Sequence, residues 1–187
     1  MSILSGGFTE PAQQSAAGFR VLMQAMARPG SIYTLAGAMP PAPLGTAAGT
    51  VLLLLADPTT PLHLAGPADN TTVREWLRFH AGCPLAAPEA ATLAFGPWSH
   101  LGSLDRYPAG LPDYPDRSAT LIVELDQLEA EGPRLTGPGI CTHAWLSLPE
   151  IAPFQANRAL FPRGLDFIFT CGDQLACLPR STIVENS

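Results

Sequence analysis

The stretch ATLIVEL, residues 119–125, decides the fold class of this chain. If this stretch forms a strand, the side chains of its TLIV core make both faces of the strand apolar. Strands that are apolar on both faces are typical of sheets with helices packed on both sides. We therefore expect a central strand here, between two layers that cover the sheet.

The chain before this stretch alternates helical and strand patterns. Residues 11–28 predict an amphipathic helix, because apolar residues recur there at i, i+3, i+4 and i+7 and form one face. These residues are Phe19, Leu22, Met23 and Met26. Residues 46–56 could form a strand or a buried helix, and their length favours the helix. Short strands are predicted at 32–35, 62–64 and 92–95.

A second amphipathic helix is predicted after Asn70, a residue type that often caps helix N-termini. Its apolar face is formed by Val73, Trp76, Leu77 and His80. Residues 97–115 are rich in Gly, Pro, Tyr and Asp, which predicts a long surface loop that could include one turn of helix.

The C-terminal third predicts a closing hairpin. Its strands are residues 165–171 and 174–178, and Gly172-Asp173 between them is a pair compatible with a type I′ turn. A strand at 134–136 and a partial helix within 148–160 precede the hairpin. This order predicts a single α/β domain, residues 1–187, with a three-layer mixed β-sheet, flanking helices and at least one antiparallel strand.

The composition is apolar for a globular protein, with 47% hydrophobic and 14% charged residues. Such a chain has little polar surface, so we expect partner subunits to cover part of it. The alternative is an ordinary surface built from many small alanines. The net charge of −6 argues against broad binding of nucleic acid or anionic membranes, which needs a basic surface.

All 10 basic residues are arginines, and the sequence contains no lysine. Pyridoxal phosphate therefore has no lysine amine with which to form a Schiff base, and a Walker A loop lacks its lysine. No cofactor is expected on this chain. Its four cysteines include no Cys-x-x-Cys pair, and its four histidines have no metal-site spacing, so no iron–sulfur or other metal site is expected either.

The sequence suggests a cytoplasmic protein. Residues 1–7 have neither the basic region nor the long apolar region of a signal peptide. Residues 51–56 form the longest strongly apolar run, which is far too short to cross a bilayer.

Gly137 and Gly139 follow a predicted strand and are candidates for an anion site. Glycines at a strand exit allow backbone amides to approach a ligand closely. The same residues could simply form a tight turn. Pro138 removes one amide donor, and the third glycine of a dinucleotide fingerprint is missing.

Arg78 and His80 lie near the end of a predicted helix. Together they could hold a phosphate group, and His80 could act as a general acid or base. Alternatively, both could oppose the negative end of the helix dipole.

Asp166 and Arg180 mark the two ends of the predicted hairpin. Asp166 could bind a metal or a ribose hydroxyl, although accepting hydrogen bonds from turn amides is favoured. Arg180 follows a proline and is expected to be exposed, as a phosphate clamp or an interface anchor. No Ser-His-Asp order, HExxH motif or EF-hand is present.

Ordered motifs along the chain resemble a known family, the PhnH subunit of carbon–phosphorus lyase. The match extends from about residue 8 to about residue 185, and residues 97–115 resemble the family least. The motifs that carry it are 8–11, 19–30, 51–61, 77–85, 135–140, 161–166, 170–172 and 178–185.

This resemblance implies a fold like the large domain of pyridoxal-phosphate-dependent transferases, without the cofactor. It also implies a role in phosphonate catabolism, in a core complex with subunits G, I and J. There, an alkylphosphonate displaces adenine from MgATP and gives ribose 1-alkylphosphonate 5-triphosphate. A radical iron–sulfur subunit later cleaves the carbon–phosphorus bond.

Three functions are weighed on these observations. The first is a structural, non-catalytic subunit of the ribose 1-methylphosphonate 5-triphosphate synthase complex. The isolated subunit is expected to form a homodimer. The alternative is a subunit that binds nucleotide or phosphonate through Arg78, Gly137, Gly139 and Arg180 and so contributes to the active site. A third, weaker possibility is a stand-alone enzyme with a degenerate pyridoxal-phosphate fold, which could hold the vitamin only non-covalently.

Overall fold

The computed structural model describes residues 5–186. Residues 1–4, on which part of the signal-peptide prediction rests, lie outside this range. The α-helices within it are α1 Pro11–Ala27, α2 Thr46–Leu55, α3 Thr71–His80, α4 Trp98–Leu101 and α5 Ala152–Ala159. The β-strands are β1 Tyr33–Thr34, β2 Leu62–Leu64, β3 Leu93–Pro97, β4 Thr120–Glu124, β5 Arg134–Thr136, β6 Ala144–Trp145, β7 Asp166–Cys171, β8 Gln174–Leu178 and β9 Ile183–Glu185.

The main sheet is mixed, as predicted. Within residues 5–186 it has six strands in the order β1-β8-β7-β4-β3-β2. Strands β2, β3, β4 and β7 are parallel, while β8 runs antiparallel to β7 and to β1. The predicted central strand is β4, and its residues Leu121, Ile122 and Val123 are 0% exposed.

Apolar layers cover both faces of the main sheet. Ile122 joins the core formed with α1, α2 and α3. Its neighbours Leu121 and Val123 point to the opposite face and join the core that contains Leu101 of α4 and Phe154 of α5. The alternation of side chains along β4 therefore supplies both cores, as its doubly apolar sequence indicated.

A second, small sheet lies on the α5 side and was not predicted as a sheet. Within the described range it has three strands, in the order β6-β5-β9, all antiparallel. Only β5 was identified from the sequence. Strands β6 and β9 have two and three residues, too few to show an alternating pattern.

The prediction for the apolar face of α1 was partly wrong. Leu22 is buried, but Phe19 and Met23 are 46% and 50% exposed. The helix packs through Gly18, where an added Cβ would lie 3.1 Å from Leu54 Cδ1. This close approach turns the small-residue face of α1 toward α2 and leaves the two large side chains outside.

The helix predicted after Asn70 is confirmed, and the turn type at 172–173 is corrected. Asn70 Oδ1 accepts a hydrogen bond from the Val73 N–H at 3.0 Å. In the hairpin, Gly172 has φ = 60°, but no described residue other than glycine has a positive φ. A type I′ turn needs positive φ at both central residues, so the turn instead follows the type II′ pattern, with glycine first.

Glu124 ends β4 in a confined site and gives the fold a testable pH dependence. Burial raises the pKa of Glu124, while hydrogen bonds from the Thr170 hydroxyl and the Gly172 N–H lower it; burial dominates. An added Cβ on Gly45, just before α2, would lie 2.8 Å from Glu124 Oε1. The carboxyl group therefore connects β4 with the β7–β8 turn and with the start of α2.

Replacing Glu124 by glutamine is expected to stabilise the folded protein, relative to wild type, by an amount that increases as the pH rises. A carboxyl group whose folded-state pKa is raised binds its proton more tightly in the native state, so the native state loses stability as pH increases through that pKa. Glutamine cannot ionise. Urea denaturation from below the ordinary glutamate pKa of 4.5 up to neutral pH should show the Glu124→Gln variant becoming more stable relative to the wild type. The exposed Glu131→Gln serves as control, and a parallel change in both variants would contradict the prediction.

Candidate functional site

A cavity of about 910 Å³ lies between α5 and the segment that follows β3. We call it the α5 groove. Its lining comprises Trp98, Ser99, Gly102, Ser103, Leu104, Asp105, Tyr107, Ala109, Glu150, Pro153, Ala156, Asn157, Leu160 and Leu165. Its size is within the range of small-molecule and peptide-anchor sites.

The first wall of the α5 groove is the segment 98–109. Trp98 stacks at an angle on Phe154 of α5, with ring centroids 5.0 Å apart, and its Nε1 donates a hydrogen bond to Glu150 Oε1 at 2.7 Å. Tyr107 is buried and donates its hydroxyl to the Leu101 carbonyl at 3.0 Å. These bonds fix the segment, which contains the short helix α4 and a 3-10 turn at Leu104–Arg106.

The second wall is α5, which Asn157 fixes to the start of β7. Its side-chain Nδ2 donates to the Leu165 carbonyl at 2.9 Å, and its Oδ1 accepts from the Leu165 N–H at 2.8 Å. Gly164 has φ = 124°, and an added Cβ there would lie 3.0 Å from Asn157 Oδ1. The close pairing of Asn157 with Leu165 therefore requires a glycine at 164.

The polar groups of the α5 groove are hydroxyls, an amide and two carboxylates, Asp105 and Glu150. None of its lining residues is basic. A phosphate or phosphonate is usually held by arginine, lysine or a set of free amides. The groove thus has the wrong charge for an anionic substrate.

Three of the four cysteine thiols in the described part of the chain are not activated as nucleophiles. Burial raises the pKa of the Cys83, Cys171 and Cys177 thiols, which keeps them protonated. Within residues 5–186, no group of three or more His, Cys, Asp or Glu side chains could hold a metal ion.

Arg180 and Asp166 form an ion pair inside the chain, so the prediction of an exposed Arg180 was wrong. Their side chains are only 15% and 20% exposed. Arg180 Nε donates to both Asp166 oxygens at 3.2 Å, and its remaining nitrogens reach Asp166 Oδ2, the Pro115 carbonyl and the Ser118 hydroxyl. Asp166 also accepts the Arg180 backbone N–H at 2.8 Å, which agrees with the favoured turn-amide role.

Gly137 and Gly139 lie close to backbone atoms of other segments, and together they form a tight turn. The Ile140 N–H donates to the Gly137 carbonyl at 3.2 Å. A Cβ on Gly139 would lie 2.1 Å from the Ala27 carbonyl oxygen at the end of α1, and one on Gly137 would lie 3.2 Å from the Ser181 carbonyl oxygen. Gly137 is therefore close to the segment that contains Arg180.

Arg78 and His80 lie elsewhere. They belong to α3, which connects β2 and β3 at one edge of the main sheet, whereas β8 and Arg180 lie near the other edge. Arg78 is exposed, and the His80 ring packs on Trp76 and Phe79 with centroids 5.2 and 4.9 Å away. The six predicted site residues therefore do not converge on one site.

Sequence reasoning missed the α5 groove. Its first wall falls in residues 97–115, which were interpreted as a surface loop, and nothing in the local sequence pairs Trp98 with Glu150. The one available signal is Pro162-Arg163-Gly164, since proline and glycine favour a turn, but these residues do not show what the turn borders.

Comparison with known proteins gives a consistent result. The model of the family described as bacterial phosphonate metabolism protein (PhnH) matches residues 6–185. A protein of Rhizobium meliloti (strain 1021), named alpha-D-ribose 1-methylphosphonate 5-triphosphate synthase subunit PhnH, is 38% identical over 98% of this chain and 96% of its own length. The putative C-P lyase subunit protein HtxG of Stutzerimonas stutzeri is 32% identical over 94% of this chain and 87% of its own length. With most of its length matched by the family model and by both relatives, the chain belongs to the PhnH family of bacterial phosphonate metabolism proteins.

Proposed function

We propose that this chain is a structural, non-catalytic subunit of a ribose 1-methylphosphonate 5-triphosphate synthase complex in phosphonate catabolism. The observation that carries the proposal is the 38% identity, over 98% of the chain, to a protein named as the PhnH subunit of that synthase. Two observations support an accessory role: the α5 groove has two carboxylates and no basic lining residue, and the buried thiols of Cys83 and Cys177 stay protonated.

The proposed complex contains carbon–phosphorus lyase subunits G, I and J, with the chemistry of adenine displacement on those chains. Reconstitution tests this role: subunits G, I and J are mixed with MgATP and methylphosphonate, with and without this chain, and released adenine is measured. We expect release only when the chain is added, and none from the chain alone. Adenine release by the isolated chain would refute the structural role.

The alternative, a subunit that binds nucleotide or phosphonate itself, has less support. Arg180 is fully engaged with groups of its own chain, and Gly139 faces the Ala27 carbonyl at a distance that leaves no room for a ligand. Calorimetric titration of the isolated chain with MgATP and then methylphosphonate separates the two roles. Saturable binding would favour the alternative.

Further properties remain part of the proposal. They are the kinship with pyridoxal-phosphate-dependent transferases without the cofactor, the single domain over 1–187, the homodimer of the isolated chain and a cytoplasmic location. The mixed sheet with helices on its faces is consistent with the first. Among the described residues, no helix has both the length and the apolar character needed to cross a membrane.

A further inference from the structure

We propose that the α5 groove is a docking site for a segment of another subunit, in which an apolar side chain is flanked by an arginine or lysine. The inference rests on the proposed function, because it assumes that the chain works inside a complex. It adds the surface that makes the contact and the chemistry that this surface recognises.

The shape and lining of the α5 groove suit an apolar anchor. Trp98, Leu104, Tyr107, Pro153 and Leu160 give the cavity of about 910 Å³ a mainly apolar lining. Leu160 at the groove is 40% exposed, and the adjacent Phe161, outside the lining, is 50% exposed. Pockets that accept one buried anchor, surrounded by contacts that exclude water, are typical of the centres of protein interfaces.

The two carboxylates of the α5 groove favour an arginine or lysine next to the apolar anchor of the partner segment. Asp105 has no ion pair within residues 5–186, since the adjacent Arg106 lies near Glu89, with 3.6 Å between Nε and Oε1. Glu150 has the neutral Trp98 indole as its hydrogen-bond partner. Two carboxylates without a counter-charge repel anionic ligands and favour a cationic side chain.

The groove is also preorganised. The two hydrogen bonds between Asn157 and Leu165 hold α5 in place, and the Trp98–Glu150 bond connects the two walls. A site that needs no rearrangement loses less of its binding free energy to ordering. A short, extended partner segment can therefore bind without a change in the shape of the groove.

Two alanines of α5 give a matched test. Ala156 lines the groove and Ala159 does not, and both are exposed on the same helix. The affinity of wild type, Ala156→Phe and Ala159→Phe for the purified assembly of subunits G, I and J is measured by biolayer interferometry. Ala156→Phe, which fills the groove, should weaken binding by roughly tenfold or more, as loss of an anchor pocket does. Equal affinity of the two variants would overturn the proposal.

A second variant tests the charge. Glu150→Gln keeps an oxygen acceptor for the Trp98 indole but removes the negative charge. It should bind the same assembly more weakly and with less dependence on salt, whereas Glu131→Gln, outside the groove, should match wild type. Unchanged affinity and salt dependence in Glu150→Gln would show that no basic side chain occupies the groove.

The outcomes separate the two levels of inference. If wild type fails to bind the assembly, the proposed function itself is wrong. If wild type and Ala156→Phe bind equally well, only the docking groove is wrong. Sedimentation of each variant alone tests a different occupant: a dimer that Ala156→Phe converts to monomer would assign the groove to a second copy of this chain and overturn the proposal.

Discussion

Replacing Arg180 by alanine is expected to lower the free energy of unfolding by about 3 kcal/mol, at the lower end of the range for breaking a buried ion pair. The variant leaves Asp166 in a site where its side chain is only 20% exposed, with its counter-charge removed. It also removes donors to the Pro115 carbonyl and the Ser118 hydroxyl, which connect residues 115–118 to the end of β8. Urea denaturation followed by circular dichroism measures the loss.

The pair Arg74–Asp69 provides a control for this prediction. It has similar two-point geometry, with Nε–Oδ1 and Nη2–Oδ2 distances of 2.6 and 2.8 Å, but its side chains are 52% and 35% exposed. Water screens such a pair, so Arg74→Ala should have a much smaller effect than Arg180→Ala. Equal stability of Arg180→Ala and wild type would contradict the structural role and return Arg180 to the list of candidate ligand residues.

Gly139→Ala is expected to destabilise the protein by a similar amount, about 3 kcal/mol. Gly139 has φ = 83°, a conformation that costs an L-residue about 1–2 kcal/mol. The new Cβ would lie 2.1 Å from the Ala27 carbonyl oxygen, so the last turn of α1 must move, and such overpacking adds about 1–3 kcal/mol. Thermal and urea denaturation both report this loss.

Gly172→Ala is the matched control for Gly139→Ala. Gly172 also has a positive φ, 60°, but an added Cβ would meet nothing within 4 Å. Only the backbone cost of about 1–2 kcal/mol should remain. If both variants lost the same stability, the contact between residue 139 and α1 would not matter, and a ligand-binding role for Gly139 would regain weight.

The sequence predicted the elements of this fold better than their partners. The doubly apolar 119–125 stretch, the Asn70 cap and the 174–178 strand were recognisable because each is a local pattern. The exposure of Phe19 and Met23 was not, since it follows from the close contact of Gly18 with Leu54, a residue of another helix. Helical periodicity identifies an apolar face but not which part of that face finds a partner.

The candidate site shows the same limit. Asp166 and Arg180 were singled out as separate residues at the two ends of a hairpin, and only the antiparallel pairing of β7 with β8 joins them. Trp98 and Glu150 are 52 positions apart and meet only in three dimensions. Single-sequence reasoning finds residue types suited to a task, whereas their convergence depends on contacts between distant segments.

The position of β8 has a consequence for how the protein is made. Strand β1, at residues 33–34, pairs only with β8 within the described range, and β8 lies at 174–178. A ribosome must therefore synthesise most of the polypeptide before its first strand acquires a neighbour. Until then the apolar helix α2 has no completed sheet to cover it, and nascent chains with such exposed surface aggregate readily. Efficient production of this protein should accordingly depend on chaperones that protect the unfinished N-terminal half during translation.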